Sequence, residues 1–307
     1  MRRTLIARIA VVATAALALA ACGGGSDPLQ NGGSGSTAGA SDTVVIGSAN
    51  FTESQIIANI YSQALQAKGV KVDLRPPIGS RETYYPAIQD GSIDLIPEYT
   101  GTLLQYINKN ATETEPDAVY NALKAALPAN LTVTDKSAAE DKDAVVVTQE
   151  TATKYNAKSI EDLAANCGQI VFGGPPEFQT RPDGIPGIQK TYNCTFKEYK
   201  ALDAGGPLTV AALKNGDIQA ADIFTTDASI VTNNFVVLTD PKDNFAAQNV
   251  VPLITKAKAT GTTLDVLNQI SAKLTTDGLT KLNAEASSDA KPSLETVAKN
   301  WLSQNGF

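Results

Sequence analysis

Short apolar runs alternate with longer amphipathic stretches from Thr43 to the C-terminus, and this alternation constrains the fold more than any other feature. Strands that are apolar on both sides must be covered twice, which an α/β architecture does by placing helices over a largely parallel sheet. Val44-Val45-Ile46 reads as a buried strand and leads into a helix opening at Thr52. Gln55 stands three residues on, at capping-box spacing. Ile56, Ile57, Ile60, Ala64 and Leu65 then share one helical face. Val70–Leu74 and Ile93–Ile96 read as the next strands, with a helix through Tyr84–Gln89 between them. After a helix at Pro116–Leu127 and a strand at Leu131–Thr134, a second series begins at Ala144. It contains a helix capped by Ser159, strands at Ile170–Phe172, Ile218–Ile223 and Val236–Leu238, and a helix closed by Asn215-Gly216. A strand at Val250–Ile254 and three terminal helices complete the chain, with no internal repeat. Two α/β lobes joined by strands that cross twice fit this order better than one continuous sheet.

The N-terminus is of a different kind. Arg2, Arg3 and Arg8 precede an apolar run from Ile9 to Ala21. A spanning helix needs about 20 apolar residues, so this shorter run reads as a secretion signal over residues 1–21. It ends in Leu19-Ala20-Ala21-Cys22-Gly23, which resembles the bacterial lipobox. That resemblance implies cleavage before Cys22 and acylation of its sulfur, and two or three acyl chains anchor stably where one binds only marginally. Residues 22–42 are rich in Gly and Ser and should form a flexible leash. Its typical reach is about 25 Å.

Charge and residue counts then narrow the function. The formal net charge is −7, and removing the signal takes away three arginines, leaving a more acidic chain. Without a basic patch, nucleic acid and anionic lipid headgroups are poor partners. The absence of histidine removes Ser-His-Asp and Cys-His catalysis and the commonest metal sites, so no cofactor is expected. Exported chains meet an oxidising environment, so Cys167 and Cys194 are expected to form a disulfide, two free core thiols being the alternative.

Four segments carry a family resemblance. They are Ile46-Gly47-Ser48-Ala49-Asn50-Phe51-Thr52-Glu53; Gly91 to Thr102, with Pro97-Glu98-Tyr99-Thr100-Gly101-Thr102 at its end; Glu177 to Gly187; and Leu213 to Asp227. Together they resemble the substrate-binding proteins of osmoprotectant ABC importers, the glycine betaine/carnitine/choline type. The resemblance implies a two-lobe, type II periplasmic-binding-protein-like clamp with two crossing strands as hinge. One lobe would hold residues 43–141 and 245–307, the other 142–244. The clamp would bind a betaine- or choline-like solute between the lobes as a monomer and present it to a permease and its ATPase.

A quaternary ammonium has no donor to offer, so such a site must use ring faces, each worth about 0.5–2 kcal/mol. A ligand carboxylate instead wants arginine or free N–H groups. The resemblance places Tyr99, Phe224 and Arg181 in these roles, with Thr102 as a polar neighbour. Thr100 to Thr102 also open a helix, whose N–H groups favour an anion. Asn50, Phe51 and Thr225 sit on loops that would face the cleft. Three positions depart from the family pattern: Ala49 replaces a frequent lysine, Asp143 stands where an aromatic is frequent, and Ala246-Ala247-Gln248-Asn249 replaces a Pro-Pro-Tyr-Gln stretch. Losing two rings would weaken a betaine site by about 1–4 kcal/mol, or about 5- to 1000-fold. Gln248 and Asn249 would offer amides instead, so a more hydroxylated or amide-bearing solute is the alternative ligand. A surface sensor without transport is an alternative role.

The remaining residues have plainer readings. Arg81 reads as a solvated loop charge paired with Glu82, with a place in the cleft as the alternative. Tyr84 or Tyr85 is expected to put one ring in the core, Trp301 to pin a terminal helix, and Asp183-Gly184 to form a turn. A hydrolase would need a close, pKa-shifted carboxylate pair in the cleft, for which Glu53, Glu98 and Asp227 are the motif-linked candidates.

Overall fold

The computed structural model describes residues 42–307; the signal, Cys22 and the linker lie outside them. The chain builds one mixed sheet, leaves to build a second, and returns to finish the first.

The first lobe contains β1 (Val44–Ile46), α1 (Thr52–Ala67), β2 (Val72–Leu74), α2 (Arg81–Gln89), β3 (Leu95–Tyr99), α3 (Thr100–Ile107), α4 (Pro116–Ala126) and β4 (Leu131–Val133). The second contains β5 (Val145–Val147), α5 (Gln149–Tyr155), α6 (Ile160–Ala164), β6 (Val171–Gly174), α7 (Ile185–Tyr192), β7 (Glu198–Ala201), α8 (Pro207–Lys214), β8 (Ala220–Asp222), α9 (Ala228–Thr232) and β9 (Val236–Val237). The return adds β10 (Val250–Thr255), α10 (Gly261–Lys273), α11 (Thr276–Ala286) and α12 (Leu294–Asn305) to the first lobe.

The sheet orders are β2-β1-β3-β10-β4 and β7-β6-β8-β5-β9. In each, three parallel strands meet one antiparallel strand that has just crossed from the other lobe: β10 beside β3, and β5 beside β8. Side chains alternate between the faces as the period of two requires. Val44, Ile46, Leu95 and Ile254 pack against α1 and the terminal helices, while Ile96, Val251 and Leu253 pack against α2–α4. Val145, Val147 and Phe172 face one side of the second sheet, and Val146 and Ala221 the other. Trp301 is buried in the core that α12 completes.

Two segments connect the lobes, residues 134–144 and 238–249. They run antiparallel and touch through an isolated bridge between Glu140 and Asn249. The Asp141 N–H donates to the Gln248 carbonyl, and the Val250 N–H to that of Ala139. This pairing forms the two-stranded crossing.

Two local expectations change. The third strand is Leu95–Tyr99, not Ile93–Ile96, because pairing with β10 carries it through Pro97. Pro97 lies opposite Pro252, a register in which neither proline has to donate across the pair. Thr52 does not cap α1. Phe51 occupies the cap without a side-chain bond, while Ser54 Oγ turns back to accept the Ala49 N–H at 2.9 Å. By contrast, Ser159 and Asp162 form a complete capping box on α6.

Cys167 and Cys194 are joined, with Cα atoms 5.5 Å apart. The bond ties the turn before β6 to the end of α7. Closing a loop of this length stabilises by about 3.5 kcal/mol in the chain-entropy account.

Candidate functional site

In open α/β sheets, ligands gather beyond the carboxyl ends of parallel strands, where the loops diverge. Here the carboxyl ends of both sheets face one crevice. Phe51 follows β1, Tyr99 ends β3, Glu177 and Arg181 follow β6, Ala204 follows β7, and Phe224 follows β8. Asp141, Asp143 and Gln248 enter from the connecting segments, and Arg81 and Tyr84 from α2. The crevice and its open mouth together hold roughly 530 Å³ of non-atom space.

Three rings form its apolar part. Phe51 and Phe224 meet across the lobes at 5.1 Å between centroids, and Phe51 and Tyr99 at 5.9 Å, all tilted. Tyr99 is only 7% exposed, because its hydroxyl donates to Glu53 Oε1 at 2.7 Å. Glu53 also accepts from Thr226 Oγ1 of the second lobe at 2.6 Å and from Asn283 Nδ2 at 2.7 Å. Burial raises its pKa, and these three donors oppose the rise. One carboxylate therefore fastens the ring, a terminal helix and the opposite lobe together.

Arg81 differs from its sequence reading. It is 5% exposed and forks onto Glu98, itself fully buried, with Nε to Oε1 at 2.9 Å and Nη2 to Oε2 at 2.7 Å. The Tyr84 hydroxyl and the Tyr99 N–H complete the Glu98 shell at 2.8 and 3.0 Å. Glu82 pairs instead with Arg181, through two bonds of 3.2 Å that cross from α2 to the second lobe. Burial alone would raise the Glu82 pKa, but the bonds and charge of Arg181 bring it down to about 2. Arg181 thus lines the crevice while spanning it.

The start of α3 also departs from expectation. Its Gly101 and Thr102 N–H groups both donate to Gln248 Oε1 at 3.0 Å, and the Thr102 hydroxyl reaches the same oxygen at 3.2 Å. Those N–H groups are already satisfied, so they offer no anion site. A Cβ at position 101 would lie 2.7 Å from the Ala247 carbonyl, which is why glycine is needed for the connector to approach. With its oxygen committed, Gln248 still lines the crevice, and its Nε2 has no hydrogen-bond partner among the described residues. Asn249 lies outside, donating to the Ser137 carbonyl. Thr100 is also outside, tying β3 to the connector through the Ala247 carbonyl and the Asn249 N–H. Thr225 bonds Asp141 and Lys142 at the edge of the crevice without lining it. Asn50, Phe51, Tyr99, Thr102, Arg181, Phe224 and Gln248 do line it.

Residues 42–304 match the family described as the substrate binding domain of ABC-type glycine betaine transport systems. The chain belongs to that family. It is a solute-binding protein of an ABC importer, a class that works outside the cytoplasm. A carnitine transport binding protein of Listeria monocytogenes is 29% identical over 87% of this chain and 88% of its own length. A glycine-betaine-binding protein of Pseudomonas aeruginosa is 31% identical over 70% of this chain and 72% of its own. The crystal structure of a glycine betaine/carnitine/choline ABC transporter protein superposes with a TM-score of 0.68 at 25% identity, covering 85% of this chain and 98% of that one.

Within this binding protein, sequence reading named Glu53 among the carboxylates but missed the aspartates around it. Glu98 is paired with Arg81, and Asp227 caps α9 through the Ser229 N–H. Glu53, the third candidate, is in a raised pair with Asp141, and a second raised pair is Asp143 with Asp222. Burial raises both, and the Asp143 charge adds to the rise at Asp222. Asp183 nearby is pushed up to about 7 by burial and by Asp143. Asp141 is also raised, by burial and by Glu53. The signal was present in Asp143, which replaces an aromatic of the family pattern.

Proposed function

We propose that this protein is the lipid-anchored receptor that captures a small cation-headed solute of osmoprotectant size and presents it to an ABC permease and its ATPase. Cleavage before Cys22 and acylation of its sulfur hold the chain at the membrane, and residues 22–42 serve as the leash. Residues 43–141 with 245–307 form one half of the clamp and residues 142–244 the other. The protein acts as a monomer and performs no catalysis. The observation that carries this reading is the crevice between facing strand ends, where Phe51, Tyr99 and Phe224 bring ring faces from both lobes onto one space. Ring faces attract a cation without a covalent step.

Calorimetry and thermal shift against betaines, choline, carnitine, amines, polyols and sugars test the proposal. The expected result is 1:1 binding by a cationic solute with a raised melting temperature. Tyr99→Ala should weaken binding by about 2- to 30-fold through the lost ring, and Arg181→Ala should weaken it by opening the contact with Glu82. Unchanged affinity in both variants would mean that the solute sits elsewhere. Cys22→Ser should move the protein from the membrane fraction to the soluble fraction, and continued retention would overturn the anchor.

A further inference from the structure

The acidic wall of the crevice bears on which cations it takes. Asp143 lines the crevice and is 8% exposed. Its carboxyl interacts with that of Asp222, whose two oxygens have no hydrogen-bond partner among the described residues. Burial raises both carboxyls, the charge of Asp143 adds to the rise at Asp222, and Asp143 is the member that reaches the crevice. The charges of Arg181 and Arg81 favour its ionised form, but each guanidinium forks onto another carboxylate, Arg81 onto Glu98 and Arg181 onto Glu82. Asp141 on the same wall is already served by the Thr226 N–H and the Thr225 hydroxyl. The wall around Asp143 is thus rich in carboxyl acceptors, and the forks of both its arginines are taken by other carboxylates.

We propose that the crevice selects a cation carrying at least one N–H donor, an amine rather than its fully methylated counterpart, with Asp143 as the acceptor. The proposal rests on the crevice being the solute site. A trimethylated nitrogen brings charge but no hydrogen, so it would leave the Asp143 lone pairs desolvated and unbonded, which is costly. An ammonium N–H in the same place makes a charge-assisted bond, the stronger kind. The rings of Phe51, Tyr99 and Phe224 attract either cation, so the carboxylate decides between them.

Two methylation series test this on the purified full-length protein by calorimetry. One runs from ethanolamine through its mono- and dimethyl forms to choline, the other from glycine through sarcosine and dimethylglycine to glycine betaine. In whichever series binds, the dimethyl compound with its single N–H should bind about tenfold or more tightly than the trimethyl compound. Asp143→Asn should erase that gap. A trimethyl compound that binds the native protein as tightly as its dimethyl counterpart overturns the inference, whether or not the variant folds, and leaves the solute-binding reading standing. Silence from every member of both series and of the wider panel overturns that reading, and this inference with it.

Discussion

Replacing Arg81 with methionine would remove the cation from Glu98 while keeping most of the aliphatic packing of α2. The pair is deeply buried, with Arg81 5% and Glu98 0% exposed. Removing one partner of such a pair typically costs about 3–5 kcal/mol, because the other charge is left without compensation. Glu98 retains the Tyr84 hydroxyl and the Tyr99 N–H, which places the cost near the lower end, about 3 kcal/mol. For a chain of this size that corresponds to a fall in Tm of about 6–12 °C. Differential scanning calorimetry and urea unfolding would measure it. Adding Glu98→Gln to Arg81→Met should recover more than half of the loss, since no charge then remains buried. A single variant within about 1 kcal/mol of the native protein would refute the assignment of Arg81 to a closed, dry pair. A double variant as damaged as the sum of its parts would do the same.

Other perturbations read different parts of the molecule. Gln248→Leu leaves the Gly101 and Thr102 N–H groups without an acceptor and should cost about 1–3 kcal/mol by urea unfolding; Gln248→Glu keeps the acceptor at the helix start and should cost less. Reducing the Cys167–Cys194 bond should lower stability by about 3.5 kcal/mol, read as a fall in the urea midpoint with dithiothreitol. Asp183 carries a folded-state pKa of about 7, well above the unfolded value near 4. Its protonated form favours folding, so stability is full below about pH 4 and declines as pH rises toward about 7. Asp183→Asn should flatten that decline, and an unchanged profile of melting temperature against pH would show that Asp183 is ionised throughout.

The order of elements was legible in the chain because it follows from local pattern. Alternating apolar runs such as Val44–Ile46 and Val145–Val147, and the face formed by Ile56, Ile60 and Ala64, dictate their periods without reference to anything distant. Ser159 capped its helix as read, since a capping box is completed within four residues. The motif-bearing residues Phe51, Tyr99, Arg181 and Phe224 were legible as neighbours of the crevice for a related reason: each closes a strand or lies on the loop after one whose end opens there. The far strand end at Tyr99 was not legible, because pairing with β10 across 150 residues of chain order extends β3 through a proline.

Partnership was decided only by the tertiary structure. Arg81 stands next to Glu82 in sequence yet binds Glu98, and Glu82 binds Arg181 in the other lobe, because the start of α2 is held against β3 and burial favours the pair that can be closed completely. The α3 N-terminus, open by sequence, is filled by Gln248, which arrives from the return crossing. Asp143 and Asp222 meet because β5 and β8 are antiparallel neighbours with their ends at the crevice. Local chemistry sets which groups a chain can offer; the crossing of its two connectors sets which of them remain free for a guest.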